Sequence, residues 1–193
     1  MILSMTSEKE NESTLNREHI DFCISKVADK SDRHFEELYK LTSPSVYSYA
    51  LSVLKNTYDA QDVMHDSYIH IYQSADSYKS SGKPMAWILT ITKNLCLQKI
   101  RDKSKVSDIP EDEWERTLVE NKNLLVEDKL LIEKCMNVLT DEERQIIVLH
   151  AVAGFKHKEI ATHMDLLLST VLSKYNRAIK KLKIELEKEQ STQ

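Results

Sequence analysis

The stretch TDEERQIIVLHAVAGFKHKEIATHMDLLLSTVLSKYNRAIKKLK, residues 140–183, decides how the C-terminal part of this chain folds. Thr140 and Glu143 have the spacing of a capping box, in which each side chain accepts a hydrogen bond from the other residue's backbone N–H. Apolar residues then recur at helical spacing until Gly154, and glycine often ends a helix. The pattern predicts a first helix, a short second helix, and a third helix that starts near Ser169.

The third helix combines an apolar stripe with a positively charged surface. The residues at helical spacing that should face a core are Val171, Tyr175, Ala178, Leu182 and Leu186. Those that lie mostly off this stripe are Ser173, Lys174, Arg177, Lys180, Lys181 and Lys183. Two short helices followed by a basic one are typical of a helix-turn-helix, whose second helix enters the major groove. A solvated lysine-rich face on an ordinary bundle helix is the alternative, but the three features together favour DNA binding.

The composition excludes several other classes of function. The chain has 193 residues, with two Gly and three Pro, and its long periodic stretches favour an all-α fold. GxGxxG, GxxxxGK[ST] and GxSxG motifs are absent, so the usual signatures of nucleotide binding and of hydrolases are missing. No catalytic residues and no cofactor are predicted. The formal net charge is −4, so binding to nucleic acid would require local basic patches or a larger assembly.

The cysteines and the N-terminus indicate a cytoplasmic protein. Cys23, Cys96 and Cys135 are far apart and form no CxxC pair or zinc-type cluster, so we expect reduced, buried thiols and no metal. No apolar run approaches the roughly 20 residues that span a bilayer. The polar start of the chain predicts a disordered tail over residues 1–16.

The first half of the chain predicts four helices and one acidic face. The first three cover residues 16–29, 32–41 and 44–54, and the third begins with a proline at its first helical position. The fourth, near 58–75, has a clean apolar stripe.

Three carboxylates fall on the other face of that fourth helix, and no Lys or Arg lies close to them in sequence; they are Asp59, Asp62 and Asp66. Such carboxylates are either simply solvated or form a docking surface for a basic partner. His65 and His70 lie nearby but complete no known metal-binding motif.

A fifth predicted helix, residues 84–103, has an apolar first half and a basic second half. Its exposed polar residues include Lys93, Asn94, Gln98 and Arg101. Tyr78, Lys83 and Trp87 lie in the preceding loop and at the start of the helix. Aromatic and cationic side chains mixed in this way suit single-stranded nucleic acid, although Trp87 could equally pack in a core.

An acidic segment divides the chain into two helical domains. Residues 104–120 contain one proline and many carboxylates, and this composition predicts a linker. The predicted organisation is therefore all-α, with domains over 17–103 and 121–187, the second a helix-turn-helix, and a short tail at 188–193.

Four segments, in this order, resemble bacterial sigma factors of the two-domain, extracytoplasmic-function type. They are FEELYKLTSPSVYSYALSVL (35–54), DAQDVMHDSYIHIY (59–72), GKPMAWILTITKNLCLQKIR (82–101), and LTDEERQIIVLHAVAGFKHKEIATHM (139–164) followed by STVLSKYNRAIKKL. The resemblance implies a factor that binds core RNA polymerase and directs promoter recognition and transcription initiation. It implies no enzymatic activity and no membrane insertion.

The resemblance also assigns roles to residues. Contact with the β′ clamp helices of core polymerase falls to Asp59, Asp62 and Asp66, and the β flap is a further contact. Contact with the minus-ten element falls to Tyr78, Lys83, Trp87, Lys93, Asn94, Gln98 and Arg101. Contact with the minus-thirty-five element falls to Ser169, Thr170, Ser173, Lys174, Arg177 and Lys181. The linker is implied to thread a polymerase channel, and an anti-sigma factor is a further partner of such proteins.

The chain departs from the family pattern in its helix-turn-helix. Asp165 stands where the family usually has Gly, Leu167 where it has a small residue or Pro, and Leu172 where it has Lys. These changes favour one alternative, a sigma-like adaptor with weakened promoter recognition. A stand-alone helix-turn-helix regulator that binds DNA as a dimer is a second alternative, which would explain the C-terminal domain but give no role to the acidic face and the acidic linker.

Overall fold

The computed structural model describes residues 2–105, 132 and 134–190, and this part of the chain contains helices and turns but no strand. In order, the α-helices whose bounds are defined are α1 (Ile2–Ala28), α2 (Asp32–Leu54), α3 (Thr57–Ser74), α4 (Pro84–Lys105), α5 (Asp141–Ala151), α6 (His157–Met164) and α7 (Leu168–Gln190). Residues 132 and 134–137, before α5, are also helical. A 3₁₀ turn at Ala75–Ser77 follows α3. The prediction of an all-α fold with two helical domains is confirmed; we call α1–α4 the N-terminal lobe and α5–α7 the C-terminal lobe.

Helix α2 lies at the centre of the molecule and contacts α1, α3, α4 and α5. Its residues Leu38, Val46 and Tyr49 are almost completely buried. The prediction of two helices here, broken before Pro44, was wrong, because α2 continues through this proline. Pro44 is on the exposed side of the helix, where the carbonyl that loses its donor can bond to water.

The N-terminal helix is longer than predicted. Helix α1 begins at Ile2, whereas the sequence analysis predicted a disordered tail over residues 1–16. The segment contains neither Gly nor Pro, so nothing in its backbone chemistry stops the helix from extending. Its C-terminal half carries the buried residues Ile20, Ile24 and Val27, which attach it to the N-terminal lobe.

Two helices begin at side-chain caps that satisfy free backbone donors. The Asn56 side chain accepts a hydrogen bond from the backbone N–H of Asp59 at 3.0 Å, at the start of α3. Thr140 and Glu143 form the predicted capping box of α5. The Glu143 nitrogen lies 3.4 Å from the Thr140 hydroxyl oxygen, and the Thr140 nitrogen lies 3.0 Å from a Glu143 carboxylate oxygen. Removing a cap of this kind costs typically about 1 kcal/mol.

The C-terminal lobe is a helix-turn-helix with the predicted element order. Gly154 ends the α5 region with φ of 71°, in the region where glycine lacks the steric cost of a side chain. Lys156 precedes α6 and cannot accept a hydrogen bond, but the Glu159 carboxylate accepts from its backbone N–H at 2.9 Å. Asp165 ends α6 in the left-handed conformation at φ 56°, which Asp tolerates better than most residues.

The two lobes share one apolar core. One cluster joins Ile24, Leu38 and Leu89 of the N-terminal lobe with Ile146 and Ile160 of the C-terminal lobe. Burying an aliphatic side chain of this size contributes about 1.5–3 kcal/mol. The lobes therefore pack against each other in what we call the closed arrangement.

The predicted domain boundaries are only partly inside the described region. Residues 104 and 105 of the predicted linker, 104–120, belong to the end of α4. Its remaining residues and the predicted start of the second domain lie outside the described residues, so the linker stays a prediction. The predicted tail begins at 188, whereas α7 runs to Gln190.

Candidate nucleic-acid interface

The acidic face of α3 is partly neutralised by lysines of α4. Asp59 is 8% exposed and forms ion pairs with Lys103 and, at 3.6 Å, with Lys99. Lys99 also donates to Asp62 at 3.1 Å, a bond that raises the pKa of the lysine. The prediction that these carboxylates are solvated or free to dock was wrong for Asp59 and partly wrong for Asp62, because helix packing brings Lys99 and Lys103, which are far away in sequence, next to them.

Asp66 differs from the other two carboxylates of this face. It is exposed, and within the described part of the chain no ion pair engages it. Ile69, on the same helix, is 54% exposed, and Tyr58 is 70% exposed. The outer surface of α3 therefore offers carboxylates, principally Asp62 and Asp66, beside apolar groups.

The second half of α4 presents the predicted polar surface. Asn94, Gln98 and Arg101 are all exposed. The Arg101 Nε donates to the Leu97 carbonyl at 3.3 Å. The two terminal nitrogens of the guanidinium take no part in that bond. These three side chains are therefore open to the solvent.

The aromatic pair before α4 is anchored to α1. The rings of Tyr78 and Trp87 lie 4.8 Å apart and both side chains are half-buried. The Tyr78 hydroxyl donates to Asp21, and burial together with this carboxylate raises the pKa of the phenol. Trp87 packs against the main core cluster, so the core-packing alternative accounts for part of its surface.

The outward face of α7 carries a mixture of polar, basic and apolar side chains. Ser169, Ser173 and Arg177 are exposed, and Thr170 is half-buried. At the start of the helix Leu167 is 75% exposed and Leu172 is 40% exposed. The first half of α7 therefore presents polar side chains to the solvent, and Leu167 and Leu172 add apolar groups beside them.

Two of the predicted DNA-contacting lysines are held inside the C-terminal lobe. Lys174 forms an ion pair with Glu142, and Lys181 donates to Glu143 at 2.6 Å. The Glu143 side chain is only 4% exposed. Burial alone would raise the pKa of Glu143, but hydrogen bonds from Lys181 and Thr140 lower it. These lysines therefore tie α7 to the start of α5. The predicted apolar stripe of α7 ends before Leu186, whose side chain is 40% exposed.

Polar contacts join the lobes next to the predicted minus-ten surface. Lys93 donates to the His163 carbonyl at 2.7 Å and approaches the Asp165 carboxylate at 3.3 Å. Glu159 lies 4.0 Å from Lys83 and 3.8 Å from Arg17. In the closed arrangement, two of the predicted minus-ten cations are thus engaged by the helix-turn-helix.

His163 is buried at this junction. Its Nε2 lies 3.0 Å from the Tyr49 hydroxyl, and its ring meets the ring of Phe155 edge-on at 5.9 Å. Burial, reinforced by the Lys93 ammonium, lowers the pKa of His163 to about 4. The imidazole is therefore neutral at pH 7, and protonating it would place a charge inside the contact between the lobes.

The structure also assembles a cluster that the sequence analysis missed. His19, Cys23 and Glu37 bring one nitrogen, one sulfur and one carboxylate oxygen within 4.8 Å of one another. The spacing of His19 and Cys23, four residues apart on one helix, is visible in the sequence. Glu37 comes from α2, and only the packing of two helices places it there.

Comparison with known proteins agrees with this architecture. Two family models match the chain: Sigma-70 region 2 over residues 38–106 and Sigma-70, region 4 over residues 129–182. The ECF RNA polymerase sigma factor SigK of Mycobacterium sp. (strain KMS) is 26% identical over 176 residues, which cover 85% of this chain and 89% of that protein. SigK of Mycobacterium tuberculosis (strain ATCC 25618 / H37Rv) is 24% identical over 172 residues, covering 85% and 91%.

Two solved structures share the fold. CnrH, in complex with the cytosolic domain of CnrY, matches with a TM-score of 0.61 and 19% identity, covering 88% of this chain and 97% of that one. The sigma factor RpoE in complex with the anti-sigma factor NepR from Bartonella quintana matches with a TM-score of 0.62 and 22% identity, covering 79% and 96%.

The fold and its surfaces define a two-lobed helix-turn-helix protein of the kind that acts in transcription. The two family models, which together match more than half of the chain, and the SigK relatives show that it belongs to the sigma-70 family of RNA polymerase sigma factors, in the extracytoplasmic-function group. Its function is accordingly promoter recognition in transcription initiation. Among the described residues, no helix has the length and apolar character needed to cross a bilayer.

Proposed function

We propose that this sigma factor works in the cytoplasm without catalysis of its own, and that it divides its contacts among three surfaces. Asp62 and Asp66 on α3 dock on core polymerase. Asn94, Gln98 and Arg101 on α4 contact the minus-ten region. The exposed residues of α7, with Arg177 as the main cation, contact the minus-thirty-five region. The observation that carries this assignment is that the named residues of each surface are exposed in the described structure.

The remaining predicted site residues take secondary roles in this proposal. Asp59 is buried under Lys99 and Lys103, so its main effect is on the packing of α3 against α4. Lys174 and Lys181 are already paired with glutamates of α5, and an ion that has a partner contributes less to a phosphate contact.

Promoter binding requires the lobes to separate. Elements centred near −35 and −10 lie about 25 base pairs apart, or about 85 Å along B-form DNA. A compact chain of 193 residues has a radius of gyration of only about 16 Å. Separation also frees Lys83 and Lys93 for DNA.

In vitro transcription with purified core RNA polymerase and fragmented genomic DNA tests the function directly. Addition of this chain should produce transcripts with discrete 5′ ends that core enzyme alone does not make. Transcripts with no specific starts, despite stable binding to core enzyme, would refute promoter recognition and support the adaptor.

The α3 surface is tested by Asp66→Lys, because Asp66 has no partner among the described residues whose loss would disturb the fold. We expect weaker binding to core enzyme in a pull-down, with an unchanged far-ultraviolet circular dichroism spectrum. Asp76→Lys is the matched control, since Asp76 is also exposed and lies on the turn after α3. Equal retention of both variants and the wild type would remove this surface from the proposal.

The α7 surface is tested by Arg177→Ala in the reconstituted holoenzyme. Loss of one cation at a phosphate should weaken promoter binding and reduce the salt slope by about one. Lys188→Ala, near the end of the same helix, is the control for charge. Promoter occupancy that is the same for both variants would contradict the role of Arg177.

The sigma-like adaptor is the second candidate, and the exposed leucines at the start of α7 favour it. Leu167, Leu168 and Leu172 are 75%, 43% and 40% exposed, and contiguous exposed apolar groups usually mark a protein contact. One of the solved relatives is bound to an anti-sigma factor, and a partner of that kind would suit this patch. Leu172→Lys separates the two: it should strengthen upstream-element binding in a sigma factor and leave an adaptor without specific starts.

A further inference from the structure

The His19, Cys23 and Glu37 side chains converge at the contact between α1 and α2. The His19 Nε2 lies 2.9 Å from a Glu37 carboxylate oxygen. The Cys23 Sγ lies 3.9 Å from the same nitrogen. One imidazole nitrogen therefore approaches both a thiol and a carboxylate, and the three ligand atoms lie within 4.8 Å of one another.

The distances between these atoms fit a tetrahedral metal ion after small adjustments. Zn²⁺ binds sulfur at about 2.3 Å and nitrogen or oxygen at about 2.0–2.1 Å. In a tetrahedron these bonds separate neighbouring ligand atoms by about 3.3–3.6 Å. The nitrogen–oxygen distance would lengthen and the sulfur–nitrogen distance would shorten, each by a few tenths of an ångström. The sulfur–oxygen separation, which lies within 4.8 Å, would have to reach the same range, and the exposed His19 and Glu37 side chains can make these movements.

The donor set selects a class of ion. A thiolate and an imidazole favour Zn²⁺ and similar late divalent metals over Mg²⁺ or Ca²⁺, which prefer oxygen ligands. Three protein ligands leave one coordination position for water. The thiol is completely buried, whereas the His19 and Glu37 side chains are 44% and 40% exposed, so an ion can enter from the solvent side.

Burial of the cysteine does not explain this arrangement. Cys96 is just as buried, but it packs among Ala50, Ala60 and Val63 in an apolar cluster. An ion pair between His19 and Glu37 explains two of the three side chains. This ion pair does not explain why the Cys23 thiol, which as a thiolate is a strong metal ligand, lies next to the His19 imidazole.

We propose that His19, Cys23 and Glu37 bind one Zn²⁺ ion that links α1 to α2. The site has a mechanical consequence for the rest of the molecule. Helix α1 also carries Arg17, which approaches Glu159 of the helix-turn-helix, and Asp21, which holds Tyr78. A metal that fixes α1 on α2 therefore stabilises the surroundings of the contact between the lobes.

Titration of the full, tag-free chain with zinc alone tests the site. After treatment with a chelator, isothermal titration calorimetry should show one equivalent bound and thermal unfolding should shift upward. Co²⁺ in place of Zn²⁺ should give a thiolate-to-cobalt charge-transfer band and the intense visible bands of a four-coordinate ion.

Matched variants distinguish this site from adventitious binding. His19→Ala and Glu37→Gln should each weaken zinc binding at least about tenfold, and Cys23→Ser should abolish the charge-transfer band. His70→Ala, which removes another exposed histidine, and Cys96→Ala should leave the stoichiometry and the band unchanged. The proposal is overturned if the wild type binds no zinc, or if His70→Ala weakens binding as much as His19→Ala. His19→Ala and Glu37→Gln change exposed residues, so the test remains valid if Cys23→Ser fails to fold.

Discussion

The buried histidine between the lobes makes stability depend on pH in a way that one substitution should remove. His163 is 9% exposed and lies among Tyr49, Phe155, Lys93 and Asp165. Burial lowers its pKa to about 4, whereas a histidine in the unfolded chain has a pKa of about 6.5. Between these values the unfolded state binds more protons than the folded state.

The sign and size of the effect follow from this difference. The native state keeps its full stability above pH 6.5 and loses it as the pH falls towards 4, because protons favour the unfolded chain. Linkage between pKa values of 6.5 and 4 gives a loss of about 2 kcal/mol from pH 7 to pH 5. Below pH 4 the loss levels off at about 3 kcal/mol.

Urea unfolding, followed by circular dichroism at pH 7 and pH 5, measures this quantity. His163→Gln keeps a polar group near the Tyr49 hydroxyl but cannot be protonated in this range. We therefore expect the wild type to lose about 2 kcal/mol more than His163→Gln between the two pH values. His70→Gln is the control, because His70 is exposed and its removal should leave the pH dependence of the wild type unchanged.

The comparison cancels the titration of all other groups that the variants share. If the wild type and His163→Gln lose the same free energy of unfolding between pH 7 and pH 5, His163 is not a buried neutral group. That result would also contradict the closed arrangement, since contact between the lobes is what buries this side chain.

Three further substitutions test individual contacts by urea unfolding at pH 7. Lys181→Met should destabilise the chain by roughly 1 kcal/mol, because Glu143 then stays buried without its cation; the figure is kept low because the ammonium is partly exposed. Lys180→Met should change stability by less than about 0.5 kcal/mol. Equal effects of the two variants would contradict the ion pair between Lys181 and Glu143. Pro44→Ala should stabilise by about 1–3 kcal/mol, because the site is exposed and the helix regains a hydrogen bond; a loss of stability would mean that the proline is required. Asp165→Gly should stabilise by up to about 1 kcal/mol by relieving the left-handed backbone, and a large loss would instead show that the contact with Lys93 matters.

The sequence was sufficient for features that depend on neighbours in the chain. The capping box at Thr140 and the turn at Gly154 each follow from chemistry within a few residues, and both are present. The same locality explains one error. Pro44 has the chemistry of a helix start, but packing of the flanking turns keeps α2 continuous across it.

The pairing of charges could not be obtained from the sequence. Helical periodicity assigned Asp59 and Asp62 to an outer face, but the nearest cations, Lys99 and Lys103, come from another helix. Periodicity states which face of a helix is polar, and it contains no information about what lies opposite. The role of the polymerase and promoter contacts remains a prediction that the substitutions above address.

The helix-turn-helix, the all-α class and the family could be predicted from sequence, because they depend on local backbone chemistry and on motifs along the chain, whereas the extent of α1 and the continuity of α2 could not. Only the tertiary structure decided that the lobes share a core, that His163 is buried at their junction, and that Glu37 meets His19 and Cys23. These features join residues that are distant in sequence. Their energies come from burial and from contacts across helices, which are fixed only when the helices pack.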